Sequence, residues 1–106
     1  MGALDHIRVL DFSHALAGPF CTKLLAGMGA QVIKIERPGS GDIARRSGPF
    51  LGGEPDIEGS GIFLYLNTGK RSITLDLKRP KARRLIRALI ADADLVVENF
   101  RPGVMD

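Results

Sequence analysis

Gly29-Ala30-Gln31-Val32-Ile33-Lys34-Ile35-Glu36-Arg37-Pro38 decides the fold of this chain. Gln31 to Arg37 has the composition of a short strand. Gly29 before it suits the left-handed C-terminal position of a helix, and Pro38 after it ends the run. Upstream, Pro19 suits a helix's first turn, and Phe20, Leu24, Leu25 and Met28 recur at the spacing of a buried stripe. Cys21 reads as a core residue of the same helix. Before that helix, Ile7 to Phe12 is a first strand. The order is strand, helix, strand.

Downstream the order repeats after an interruption. Pro38 to Gly61 is rich in glycine and proline and reads as a long loop, with a short apolar helical turn over Gly61 to Asn67. Ser72 to Leu77 is a third strand. Pro80 opens a helix whose Ala82, Leu85, Ile86, Leu89 and Ile90 follow the i, i+3, i+4 spacing of a core face, and Asp94 to Glu98 is a fourth strand. These are the alternations of right-handed parallel β-α-β units, so the expected fold is α/β: a Rossmann-like parallel sheet with flanking helices. All 106 residues belong to one domain. Four strands with an unfinished crossover leave edges open, so the expectation is the N-terminal part of a larger domain.

Composition narrows the class. With 44% hydrophobic and 25% charged residues the chain reads as globular, able to bury about 65% of its extended surface. No apolar run reaches the roughly 18 residues of a membrane span, and no signal-peptide core follows Met1, so the expected location is the cytoplasm. A single cysteine excludes an internal disulfide and a cysteine-rich metal site. Eight of the 15 basic residues fall between Lys70 and Arg87, against one acid, Asp76. Arg83, Arg84 and Arg87 read as a solvated helix face. Few aromatics accompany the charge and none interleaves it, which argues against nucleic acid.

In open α/β sheets ligands sit beyond the carboxyl ends of the strands. That rule gathers Ser13 to Ala17, Arg37 to Asp42 and Asn99 to Arg101 on one rim. A dinucleotide is disfavoured, because Ser13-His14-Ala15-Leu16-Ala17-Gly18-Pro19 has one glycine where the phosphate fingerprint needs three. A Walker loop is absent too. Arg37, at a strand end, suits bidentate capture of a phosphate, or else a salt bridge to Glu36 or Asp42. Lys70, Arg71 and Lys78 carry the same ambiguity, with solvated surface the default. Asp11 and Asp76 are expected to bond to backbone. His14 is a turn residue or an acid-base group; no partner for it is identifiable, so the turn is preferred.

Several phrases resemble the start of a family III CoA-transferase. They are Val9-Leu10-Asp11-Phe12-Ser13-His14, Ala17-Gly18-Pro19-Phe20, Gly29 through Asp42, Asn67 through Lys78, and Val96-Val97-Glu98-Asn99-Phe100-Arg101-Pro102-Gly103. The resemblance implies coenzyme A, as part of an acyl-CoA substrate and not as a permanently held cofactor. It also implies a carboxylic acid acceptor, an intertwined homodimer, and no metal. It places Leu16 and Ala17 at the pantetheine end, and Arg37 at the nucleotide's phosphates. Leu75, Asp76, Leu77 and Lys78 would lie beside the adenine and its ribose phosphate, with Asn99, Phe100 and Arg101 along the pantetheine channel. The family's nucleophile is an aspartate beyond position 106, so no catalytic residue is expected here and the 106 residues alone are expected to bind without catalysing. Leu16 stands where the formyl-CoA branch carries a polar amide, which implies a larger or more apolar acyl group. The alternatives are a 2-methylacyl-CoA racemase of the same family, which the length of the Pro38 to Gly61 loop disfavours, and a nucleotide-binding domain without catalysis.

Overall fold

The computed structural model, described over residues 2–100, contains a four-stranded parallel sheet between helical layers. The elements are β1 (Arg8–Asp11), α1 (Ala17–Gly27), β2 (Gln31–Glu36), α2 (Gly61–Leu66), β3 (Arg71–Thr74), α3 (Pro80–Asp92) and β4 (Leu95–Val97). The strand order is β3-β2-β1-β4, with Val9 opposite both Val32 and Leu95. The chain therefore reverses its direction of growth between β1 and β4, and their carboxyl ends form a switch-point crevice. The expected α/β class, the parallel pairing and all four strands are observed; β1, β2 and β4 are one or two residues shorter than expected, and β3 starts one residue earlier and ends three earlier. No helix among the described residues is long and apolar enough to cross a membrane.

Strand alternation divides the core in two. Leu10, Phe12 and Ile35 meet Ile86 of α3 on one face, while Val9 and Val32 meet Ala30, Leu25 and Ala26 on the other. Gly29 takes φ +103° just past α1, and a side chain there would also collide with the Asp5 carboxylate. Pro80 starts α3, whose Ala82 and Ile86 are buried, whereas Leu85 and Ile90 of the expected stripe are exposed.

Two expectations about α1 fail for one reason. Phe20, Leu24 and Met28 are 44%, 49% and 52% exposed, Cys21 is exposed too, and the residues turned to the sheet are Pro19 and Thr22. The Thr22 hydroxyl donates to Asp11 Oδ2 at 2.7 Å, with both side chains buried. A buried carboxylate without donors costs more than exposing a few apolar side chains, so the hydrogen bond sets the helix rotation. The Pro38 to Gly61 segment is also more ordered than a loop. It holds short 3₁₀ turns over Ile43–Arg46 and Leu51–Gly53, and an antiparallel bridge pairs Phe50 with Ser60. Ser60 then caps α2 by accepting from the Phe63 N–H.

The upper half of the α1 face is charged. Alternation puts Lys34 on that face between Val32 and Glu36, and its side chain is fully buried. Its ammonium donates to the Ser13 carbonyl at 2.9 Å and meets Asp42 Oδ2 at 2.7 Å, an ion-pair contact off the hydrogen-bond axis. Removing one partner of such a pair strands the other charge in the core. Lys34→Met in the full-length protein is expected to lose about 3–5 kcal/mol of unfolding free energy, with partial recovery when Asp42→Asn is added. Denaturant unfolding measures this, and a loss below about 1 kcal/mol is incompatible with an essential pair.

Candidate functional site

The turns after all four strands converge on one rim. Two adjoining cavities open there, of about 520 and 460 Å³. The larger runs between the turns after β2 and β3, with Arg37 and Pro38 on one side, Leu75, Asp76, Leu77 and Lys78 on the other, and Phe12 and Phe100 beneath. The smaller lies between the turns after β1, β2 and β4, bounded by His14, Ala15, Ser40, Ile43, Arg46 and Asn99. Arg37, Ser40, His14 and Phe100 belong to both.

Buried charges hold this rim together. Glu36 receives the Arg45 guanidinium on both oxygens, at 2.7 and 2.8 Å. Ser72 of β3 adds a hydroxyl at 2.5 Å and the Asp42 N–H another bond at 2.8 Å. Burial alone would raise the Glu36 carboxyl, but these four donors more than offset it and hold its pKa down at about 2. The pair raises Arg45 in turn, and the guanidinium lies 3.7 Å from the Phe63 ring. Asp42 Oδ1 accepts the Ala44 N–H, capping the 3₁₀ turn, and the Ala15 N–H, both at 2.9 Å. The second bond ties down a residue held at φ +69°.

A third pair closes the base of α1. Lys70 is buried, with its ammonium on Asp11 at 3.0 Å, Asn67 at 2.6 Å and the Pro19 carbonyl at 3.1 Å. Burial lowers its pKa against the pull of Asp11. The Asp11 carboxyl is raised by burial but falls below the ordinary range because Ser13, Thr22 and Lys70 outweigh that penalty. This corrects the reading of Lys70 as solvated surface or a phosphate contact, and Asp11 binds side chains as well as the Ser13 N–H. Asp76 does bond backbone, accepting from Lys78 N–H.

Arg37 departs from its salt-bridge alternative. Glu36 is taken by Arg45 and Asp42 by Lys34, and Arg37 stands exposed, its guanidinium with no ionic or hydrogen-bonded partner among the described residues. Of the other residues named from the sequence, Leu75, Asp76, Leu77, Lys78, Asn99 and Phe100 line the cavities. Leu16 and Ala17 do not: they begin α1 with exposed side chains. Arg101 lies outside the described residues. His14 has a neighbour the sequence did not reveal. Its Nδ1 is 4.0 Å from Asp42, and burial lowers its pKa although Asp42 opposes the shift. Its backbone exchanges hydrogen bonds with the Asn99 side chain at 3.1 and 2.8 Å, which stitches β1 to β4. Two further wall residues lie away from the strand ends, where the sequence carries no signal for them. Arg83 is exposed, as a solvated helix face requires, and also donates to the Leu77 carbonyl at 2.9 Å on the cleft edge, while Arg46 lines the smaller cavity.

Residues 4–106 match the family model for CoA-transferase family III. The chain belongs to CoA-transferase family III. This member is similar to the formyl-CoA:oxalate CoA-transferase of Rhodopseudomonas palustris (strain TIE-1), 56% identical over 98% of this chain and 24% of that protein. It is also similar to the succinyl-CoA:mesaconate CoA-transferase of Haloarcula hispanica, 50% identical over 100% of this chain and 26% of that protein. Among solved structures, the crystal structure of a CAIB/BAIF family protein from Brucella suis superposes with a TM-score of 0.87. It is 41% identical over 99% of this chain and 28% of that one. The family III chain described here thus spans about a quarter of the length of these relatives.

The depressed Glu36 pKa has a consequence for acid stability. A carboxyl held at about 2 when folded, against 4.5 when exposed, contributes stability that is fully present above 4.5 and lost as pH falls toward 2. Glu36→Gln is expected to flatten that acid limb in urea midpoints measured on the full-length protein. An unchanged slope would show that Glu36 does not carry the effect.

Proposed function

We propose that the full-length protein moves coenzyme A from an acyl-CoA donor to a carboxylic acid acceptor, and that this chain supplies the seat for the coenzyme. The observation that carries the reading is the pair of cavities meeting at Arg37, a guanidinium that no described protein carboxylate claims. Coenzyme A is a nucleotide and an amphipathic arm joined through a diphosphate, and a free guanidinium between two cavities suits that junction. Leu75 and Leu77 offer apolar surface to the adenine, and Lys78 a charge to its ribose phosphate. Asn99 and Phe100 flank the arm, with Arg101 in the same role by resemblance. The Rhodopseudomonas palustris and Haloarcula hispanica relatives are CoA-transferases, which favours transfer over racemisation.

The chemistry asks for a carboxylate nucleophile, which attacks the thioester carbonyl and expels the coenzyme as thiolate, leaving a mixed anhydride. Asp11 and Asp42 are buried and ion-paired, which does not suit them to that attack. The resemblance assigns it to an aspartate outside these 106 residues. Arg37→Ala is expected to raise the KM for acyl-CoA roughly ten- to hundredfold, with Tm unchanged because the side chain is exposed. An unchanged KM removes Arg37 from the site, and wild-type full-length protein that ignores coenzyme A in calorimetry overturns the whole reading.

Leu16 bears on the acyl group. By the resemblance Leu16, which lines neither cavity, stands where the formyl-CoA branch carries a polar amide, and an exposed apolar side chain in that place favours a longer acyl chain over formyl. Full-length protein is expected to show a higher kcat/KM with succinyl-CoA than with formyl-CoA, and the reverse order would refute this role for Leu16.

A further inference from the structure

The smaller cavity carries a second guanidinium whose placement is built into the fold. Arg45 and Arg46 end the 3₁₀ turn Ile43–Arg46, and successive residues of such a turn point about 120° apart. Arg45 is turned inward onto both oxygens of Glu36 and the carbonyl of Ile57 at 2.7 Å. Asp42 fixes the start of the turn, and the Ser60 hydroxyl lies 2.9 and 2.6 Å from the Ala44 and Ser47 carbonyls at its end. With the turn anchored inside, Arg46 is presented outward on the cavity wall that Arg37 also lines.

The charges around this cavity are one-sided. Among the described residues the side chain of Arg46, like that of Arg37, has no ionic or hydrogen-bonded partner, and no carboxylate lines the cavity. The nearby acids are already committed: Asp42 to Lys34 and two N–H groups, Glu36 to Arg45, and Glu98 to the Phe100 N–H at 2.8 Å. The remaining wall includes the apolar Ile43 and Phe100. Two free guanidiniums with apolar neighbours suit a ligand bearing adjacent oxyanions on an organic arm.

We infer that Arg46 is a second anion-binding residue of the site, gripping with Arg37 an oxyanion group of the bound ligands. Two sources offer that chemistry in a CoA-transferase: the coenzyme's diphosphate, and the carboxylate of the acceptor acid. The inference rests on the proposed function and deepens it.

The test uses full-length wild-type protein, Arg46→Ala, Arg46→Glu and Arg46→Lys. Coenzyme A is titrated by calorimetry, and KM is measured separately for acyl-CoA and for oxalate or succinate as acceptor. If the diphosphate is the ligand, Arg46→Ala weakens coenzyme binding about tenfold and Arg46→Glu further, with Arg46→Lys recovering part of the loss. If the acceptor carboxylate is the ligand, coenzyme affinity holds while the acceptor KM rises by a similar factor. In either case Tm stays at the wild-type value, which separates a binding role from a structural one. Wild-type protein that binds coenzyme A while Arg46→Ala and Arg46→Glu change neither constant overturns the inference alone. Wild-type protein that does not bind coenzyme A overturns the function it rests on.

Discussion

Three acidic or basic side chains, Asp11, Lys34 and Glu36, stand on the inner face of the two central strands with almost no exposure. Taking such charges out of water is tolerable only if each meets a counter-ion in good geometry. The partners are Lys70, Asp42 and Arg45: Asp42 and Arg45 come from the turn after β2 on the rim, and Lys70 from the segment that leads out of α2 into β3. Satisfying the core therefore fixes the turns that make the rim. A hydrophobic replacement of the same volume would serve stability as well or better, but it would leave those turns without anchors.

The pairing also explains what was legible in the sequence. Strand and helix positions follow from local periodicity and from Gly29, Pro38 and Pro80, so they are readable without any long-range knowledge. The rotation of α1 is not, because it depends on a hydroxyl, Thr22, meeting a carboxylate eleven residues earlier in the chain. In Val32-Ile33-Lys34-Ile35-Glu36 the alternating charges look like a solvated strand face, whereas that face is covered by α1 and α2. Nothing in the spacing says which of Arg37, Arg45 and Arg46 takes Glu36. The candidate site divides the same way. Arg37, Leu75 to Lys78, Asn99 and Phe100 line the cavities from positions next to strand ends, which a sequence shows, while Arg46 and Arg83 reach them from a 3₁₀ turn and a helix face.

Two neighbouring pairs share a logic. At Glu36-Arg37 the acid points into the core and the guanidinium lines the smaller cavity; at Arg45-Arg46 one guanidinium neutralises that acid and the next lines the same cavity. Arg45 occupies Glu36 and Lys34 occupies Asp42, so the two carboxylates nearest in sequence to the free arginines are already paired. An anionic ligand then does not have to displace an internal salt bridge, and the ordering of the backbone around it is already complete before it arrives.

That arrangement couples the site to the state of one carboxylate. Glu36 holds Arg45 of the 3₁₀ turn, Ser72 of β3 and the Asp42 N–H at once. Asp42 in turn caps the 3₁₀ turn and restrains the left-handed Ala15 between β1 and α1. Loss of the Glu36 charge would free Arg45 to compete for anions with its neighbour and would loosen the turns after β1 and β2 together with their tie to β3. Such a hub can be maintained near neutral pH because its four donors hold the carboxyl far below the range in which it would accept a proton. The same donors that stabilise the ionised core thereby keep the ligand rim in one arrangement, and the rim inherits the cooperativity of the core instead of behaving as a set of independent loops.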